Sequence, residues 1–441
     1  MPRALNIARI APFFFPLALV AGEAWAQAGP TTFQFTSSNP GARSLGLGGA
    51  FVPLADDATA AFANPAGLQQ LVRAEISVEG RLWGYTTPFT VGGRLSGLPS
   101  GIGLDQTAGL RVSESSDTLS GLSYLSFVYP SEKWSLAVYR HQWANFEDSS
   151  NTQGFFGDSP DISTRPRVRC GPDTFRVRDF TAFNELEIVN YGASGAYQMS
   201  EKLSIGGGLS LYDGRLENQG EFFALVDANH PQGCFGPSIS APEARILTAS
   251  DSVDDTAWGF NAGALFELSC RWKLGGVYRR GPNFRITEES RSGPILDLPE
   301  GTILASETGK FRTPDVFALG IAFKSENGAV AVSFEWDRVI YFNVPDDREL
   351  NDGNELHLGG EYAFIEWVPA VALRFGLWLD PDHRILALEG DALDKAVFRG
   401  GEDELHVAFG FGLAFQNFQV DLGVDLSKLV DTASVSAIFS F

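Results

Sequence analysis

The chain has 441 residues and a formal net charge of −21; 71 residues are Gly or Pro, while Cys and Met together supply five. That composition excludes a small disulfide scaffold and most coiled coils, and 44% hydrophobic against 20% charged residues excludes a disordered chain, because enough apolar surface is present to offset ordering entropy. The acidic surplus excludes a nucleic-acid partner, whose phosphates need clustered Lys and Arg.

The first expected element is an export leader over residues 1–26. Arg3 and Arg9 precede an apolar run, and Ala24-Trp25-Ala26 places small residues where signal peptidase reads them, so cleavage is expected before Gln27. A membrane-anchoring helix is the competing reading, but the run is about 12 residues against the roughly 20 needed to span, and Pro12 and Pro16 interrupt it. Loss of Arg3, Arg9 and Glu23 with the leader takes the net charge to −22. No later apolar run reaches helical spanning length.

Residues 27–71 carry no strand pattern. The stretch over 41–50 is Gly-rich, and Asp56-Asp57 then offers a cap for a short Ala-rich helix over 58–63 that Asn64-Pro65 stops. Its glycines match no phosphate-binding spacing and no strand precedes them.

From residue 72 onward, period-two alternation recurs. Strands are expected near 73–84, 120–130, 135–147, 183–199, 203–216, 257–268, 273–285, 315–324, 329–343, 355–366, 370–380, 405–416, 419–427 and 434–441. Val420, Leu422, Val424 and Leu426, for example, alternate with Asp421, Gly423 and Asp425. A soluble sandwich would pack such apolar faces together, whereas a barrel in lipid turns them outward around a polar lumen. Connection lengths decide between them: every second connection is short, and most of the others are long, which is the asymmetry of an outer-membrane barrel. The expected fold is therefore all-β: a 14-stranded antiparallel transmembrane β-barrel over 72–441, with 27–71 folded into its lumen as an N-terminal hatch. A weak repeat at a spacing of 69, beginning at Ser131, Ser200 and Ser269, reads as polar turns with an interfacial Trp.

The third strand has a phase problem. Leu136 and Val138 face lipid, and continuing their phase would aim Arg140 and Gln142 at lipid too, at roughly 2 to 4 kcal/mol for a charge at mid-depth. A bulge near Tyr139 is expected. The alternative is that the strand has already left the membrane at Arg140.

Cys170 and Cys234 fall in long outer loops and Cys270 in a short turn on the opposite rim, so a Cys170–Cys234 disulfide is expected, with Cys270 free. By phase, Glu267, Glu335, Asp337, His357, Glu361, Arg374, His406, Asp421 and Asp425 face the lumen. Arg374 is expected to pair with one of these glutamates; binding a substrate carboxylate is the other reading. His141, His230, His357, His383 and His406 show no metal-ligand spacing and no nucleophile partner, so no catalytic residue, metal or cofactor is expected. Phe439 and the terminal Phe441 on an alternating last strand resemble the signal read by the barrel assembly machinery, an expected partner together with outer-membrane lipid.

The motif Gly41-Ala42-Arg43-Ser44-Leu45-Gly46-Leu47-Gly48-Gly49-Ala50-Phe51, with Ala55-Asp56-Asp57-Ala58-Thr59-Ala60 and Asn64-Pro65-Ala66-Gly67-Leu68, resembles the hatch of the FadL/TodX long-chain fatty acid and hydrocarbon transporters. Weaker echoes follow at Leu274 to Tyr278, Pro314 to Gly320, Phe334 to Trp336, Leu358 to Tyr362 and Leu373 to Gly376, so the resemblance spans the mature chain. The hatch also resembles that of PorV-like secretion shuttle proteins, which handle protein cargo; that is the alternative function. The transporter resemblance implies a monomeric outer-membrane barrel for passive passage of a hydrophobic small molecule. It further implies lateral exit beside a kinked third strand and next to the Asn-Pro-Ala turn. On that reading Asn64, Pro65, Ala66, Gly67, Tyr139 and Arg140 are hatch or gate residues. Phe155, Phe156, Phe222, Phe223 and Phe235 then form an outer capture site, unless they only pack the loops. The net charge of −22 disfavours an anionic fatty acid and leaves neutral hydrocarbons or lipids open.

Overall fold

A computed structural model describes residues 39–158, 167–225, 231–237, 241–341, 348–387 and 400–441; the expected leader, the start of the hatch and His230 lie outside them. Fourteen antiparallel strands form the wall: β1 (Glu75–Arg94), β2 (Gly109–Pro130), β3 (Trp134–Thr152), β4 (Phe180–Ser200), β5 (Leu203–Phe223), β6 (Arg245–Glu267), β7 (Trp272–Arg280), β8 (Asp315–Lys324), β9 (Val330–Ile340), β10 (Gly353–Phe364), β11 (Ala370–Asp380), β12 (Glu404–Ala414), β13 (Phe418–Leu426) and β14 (Val430–Ser440). Pairing of β14 with β1, from Glu75↔Ser440 to Tyr85↔Val430, closes the barrel. The closed fourteen-stranded barrel thus agrees with the alternation.

The alternation is explicit in the side chains. On β9, Val332 and Phe334 are exposed toward lipid, while Ser333, Glu335 and Asp337 are buried inside. Aromatic pairs sit at the short turns, such as Tyr129 with Trp134 and Trp272 with Phe323, where amphipathic rings suit a membrane interface.

The wall is of unequal height. Strands β7 to β14 have 9 to 12 residues, enough to cross the hydrocarbon layer when tilted, whereas β1 to β6 have 19 to 23 and continue beyond it. The expected seventh strand, 273–285, divides: Trp272–Arg280 stays in the wall, and Asn283–Ser292 begins a separate hairpin with Ile303–Arg312 that pairs on the upper part of β6. Pro282 separates the two because it has no N–H to give a ladder; its carbonyl accepts from Thr313 N instead.

Inside lies the hatch, with two short helices, α1 (Ala42–Gly46) and α2 (Ala60–Ala63), and a 3₁₀ turn over Pro65–Gln70. The Ala-rich helix starts two residues later than expected because Asp57 closes a local turn: its Oδ1 accepts from Thr59 N at 2.9 Å and from Thr59 Oγ1 at 2.5 Å. The glycines serve close approach to the wall. Gly48 has φ +62° and a side chain there would reach 3.0 Å from Leu377 N, while at Gly49, φ +81°, it would lie 2.9 Å from His357 Nδ1.

Candidate functional site

An ion chain fixes the hatch to the wall. Arg43 of α1 binds Asp56 at 2.6 Å and Glu361 of β10 at 3.0 Å; Arg374 of β11 binds the same Glu361 at 2.6 Å and Asp421 of β13 at 2.7 Å. Lys324 of β8 adds a contact to Asp56. Burial alone would raise the Asp56 carboxyl, yet Arg43 and Lys324 hold it well below the usual carboxylate range. Arg374 is therefore buried and bound on both sides, and the reading in which it awaits a substrate carboxylate gives way to the structural pair. On the other side of the lumen, Glu79 and Arg81 of β1 form a buried pair at 2.7 Å, with Gly41 N donating to Glu79.

Asn64 is fully buried. Its Oδ1 accepts from Ala66 N, and its Nδ2 donates to the carbonyls of Val52 and Ala264. Ser204 Oγ donates to the Ala66 carbonyl, so the Asn64–Gly67 turn docks on β5 and β6 rather than on the third strand. Phe62 and Gln69, on either side of it, reach β3: the Phe62 ring lies 6.2 Å from that of Tyr139 and 4.5 Å from that of His141, and Gln69 Nε2 donates to Ser135 Oγ at 3.0 Å.

The wall is split between β2 and β3. Their pairing runs from Pro130↔Ser135 to Tyr124↔His141, and no further β2–β3 pair forms among the described residues. Beyond that point β2 remains with β1 as far as Arg94↔Gly109, and β3 with β4 as far as Thr152↔Phe180. Two bulges flank the divergence. The β1–β2 register skips Ser123, and the β3–β4 register skips Trp143.

The bulge on the third strand lies four residues beyond the Tyr139 expected for it. Tyr139 points inward in the original phase, its hydroxyl 3.1 Å from Ser210 Oγ, and Arg140 stays on the outer phase, where it donates to the Leu122 carbonyl across the seam. The guanidinium satisfies backbone that β3 has left unpaired. Gln142 is buried and donates to Glu187 at 3.0 Å, and Tyr85 Oη donates to the Asn145 carbonyl at 2.6 Å behind the opening. Tyr124 is six residues from the end of β2, about 20 Å along the strand, so the seam begins near mid-membrane and rises outward.

Behind the seam runs a continuous apolar column. Tyr85, Phe146, Leu186, Leu216 and Phe284 join Trp143, Tyr139 and Phe62 in one buried cluster that reaches the hatch residues Phe51 and Leu47. At its outer end, a cleft of about 610 Å³ opens between Phe89, Glu114 and Ser115 on one side and Ser149, Asn151, Phe183, Gln219 and Glu221 on the other.

The five loop phenylalanines do not line this cleft. Phe155 and Phe222 pack with Phe175 and Phe180 in one cluster, Phe156 and Phe235 with Leu225 and Cys234 in another, and Phe223 is buried apart from both. Packing accounts for them, and the capture site drawn from them dissolves into two loop cores. Cys170 and Cys234 form a disulfide beside the second core, and Cys270 is free and exposed.

The luminal titratable residues also gather in a way that spacing does not show. Asp337, Glu355 and His357 bring their ligand atoms within 4.8 Å of one another across two strands.

None of the curated proteins matches the chain in sequence. Among solved structures, the barrel is similar to the CymD monoaromatic hydrocarbon channel, with TM-score 0.53 and 17% identity over 92% of this chain and 99% of that one. It is also similar to the TodX deltaS2S3 mutant monoaromatic hydrocarbon channel (TM-score 0.56, 17% identity, 92% and 100% covered) and to the Pseudomonas putida toluene transporter TodX (TM-score 0.51, 15% identity, 87% and 94% covered). These likenesses concern the fold. Residues 172–337 match the family model of the outer membrane protein transport proteins (OMPP1/FadL/TodX). With a closed barrel whose apolar face is turned outward and whose lumen carries the Gly-rich hatch, the chain is an outer-membrane β-barrel that over residues 172–337 is similar to the FadL/TodX transport family.

Proposed function

We propose that the protein lets neutral hydrophobic small molecules, hydrocarbons or uncharged lipids, cross the outer leaflet region passively and leave sideways between β2 and β3 into the membrane. The observation that carries this reading is the seam above Tyr124↔His141, with an apolar column behind it and a cleft at its outer end. A solute leaving into lipid needs no energy source, because transfer from water to hydrocarbon is itself downhill. The similar CymD and TodX proteins are monoaromatic hydrocarbon channels, and their solutes belong to the same chemical class.

Charge narrows the substrate. The cleft is lined by Glu114 and Glu221, and Glu187 stands beside Gln142 at the seam. A fatty acid carboxylate meets like charge there as well as the field of a chain at −21. Arg374, the one base singled out for it, is already bound.

Deleting Trp143 removes the bulge residue and restores a continuous β3 register. In vesicles carrying the protein, the deletion is expected to abolish uptake of a labelled monoaromatic hydrocarbon. A labelled long-chain fatty acid is expected to enter poorly with either form. Unchanged hydrocarbon uptake after the deletion would contradict lateral exit at this bulge.

A further inference from the structure

We propose that the lumen holds a divalent transition-metal site formed by Asp337, Glu355 and His357, which ties the hatch to the barrel wall. The strand register builds it: Asp337 on β9 lies opposite Glu355 on β10, and Glu335 opposite His357, so four polar side chains make one inward patch. Each is less than 8% exposed.

His357 is oriented as a metal ligand is. Its Nδ1 lies 2.7 Å from the Gly48 carbonyl, which can only accept, so Nδ1 carries a proton. The ring stacks on Trp378 with centroids 5.2 Å apart and planes 15° apart, leaving Nε2 aimed at Glu355 Oε2, 3.3 Å away. An imidazole lone pair and a carboxylate oxygen repel at that separation unless a proton or a cation lies between them. A histidine that donates one nitrogen to a backbone carbonyl and turns the other to carboxylates has the second-shell pattern of a metal ligand.

The surrounding charge favours the cation. Asp337 Oδ1 and Glu335 Oε1 are buried without a hydrogen-bond partner among the described residues. Arg279, the guanidinium facing this patch, is 3.7 Å from Asp337 Oδ2 and also donates to Asn39. Buried carboxylate oxygens such as Asp337 Oδ1 and Glu335 Oε1 need a partner or a metal. The three ligand atoms lie within 4.8 Å of one another, so small rotamer changes bring them to bonds of about 2.0–2.2 Å, and a fourth position stays open for water or Glu335. An imidazole in the set selects Zn²⁺-type ions over Ca²⁺. Glu335 Oε2 accepts from Val52 N and His357 binds Gly48, so occupancy would hold both hatch segments.

The test uses the full barrel in detergent, stripped with EDTA and titrated calorimetrically with ZnCl₂. One Zn²⁺ per chain is expected, with a higher melting temperature. Glu355→Gln and His357→Gln, each verified as folded by heat-modifiable gel migration, are expected to weaken binding at least about tenfold, while Asp425→Asn leaves it unchanged. No stoichiometric uptake by the unaltered barrel, or undiminished uptake by both folded variants, overturns the proposal. Should neither variant fold, Co²⁺ added to the unaltered barrel decides. Intense visible bands of four- or five-coordinate cobalt support the site, and only the weak six-coordinate spectrum of hydrated cobalt overturns it.

Discussion

Arg43 binds Asp56 within the hatch and Glu361 of the wall, two partly buried carboxylates, and so joins hatch to wall. Arg43→Ala leaves both short of a partner, at the lower end of about 3–5 kcal/mol because Lys324 and Arg374 still face them. Amide exchange over 45–49 is expected to speed up about a hundredfold, the kinetic image of that loss. Since the folded Asp56 is held below its unfolded value, its contribution is complete above about pH 4 and fades as pH falls further toward the folded value. His383, in the loop after β11, runs the other way. Burial lowers its pKa, but Asp380, 3.5 Å away, outweighs burial and raises it to about 9. Its contribution is complete below about pH 6.5 and is lost as pH rises through about 9. An NMR titration of labelled histidine should show that midpoint, and Asp380→Asn should return it toward about 6.5. At this scale the sequence told part of the story: strand phase alone put Glu361, Arg374 and Asp421 together inside. Arg43 and Lys324 were invisible as partners because the hatch that unites them folds in from far along the chain, and the loop phenylalanines looked available only because their burial against one another has no sequence period.

The hatch is held as an element by backbone approach. At Gly48 the positive φ and the wall at Leu377 leave no room for a side chain, so Gly48→Val adds strain of about 1–3 kcal/mol to a direct clash. The expected result is a displaced hatch and ion conductance in planar bilayers where the unaltered protein has little; a silent bilayer would show that the hatch tolerates the change. The fourteen strands were legible because lipid on one side and lumen on the other impose a two-residue period. Their extensions were not, since above the membrane both faces of β1 to β6 meet loops or water and the period fades. The bulge on β3 was legible as a phase conflict but misplaced by four residues. Arg140 resolves its own conflict by reaching the Leu122 carbonyl, which lets the original phase continue to Gln142. The matching bulge at Ser123 carries no charge to betray it.

At the scale of the whole molecule, the composition resembles that of a soluble protein only on average, because an apolar outer surface offsets a polar lumen. The large acidic surplus sets up a long-range field that repels anions. The wall is continuous around thirteen pairings and divided above mid-height at the fourteenth, and that division is the feature on which the proposed transport route rests. A side chain added at Gly121 would lie against Gln142, across the open seam. The most direct measurement is therefore hydrocarbon uptake by a Gly121→Cys, Gln142→Cys barrel, bridged by a short cleavable thiol reagent. Uptake that stops on bridging and returns on cleavage is the predicted result; uptake that continues through the bridged wall would contradict lateral exit between β2 and β3.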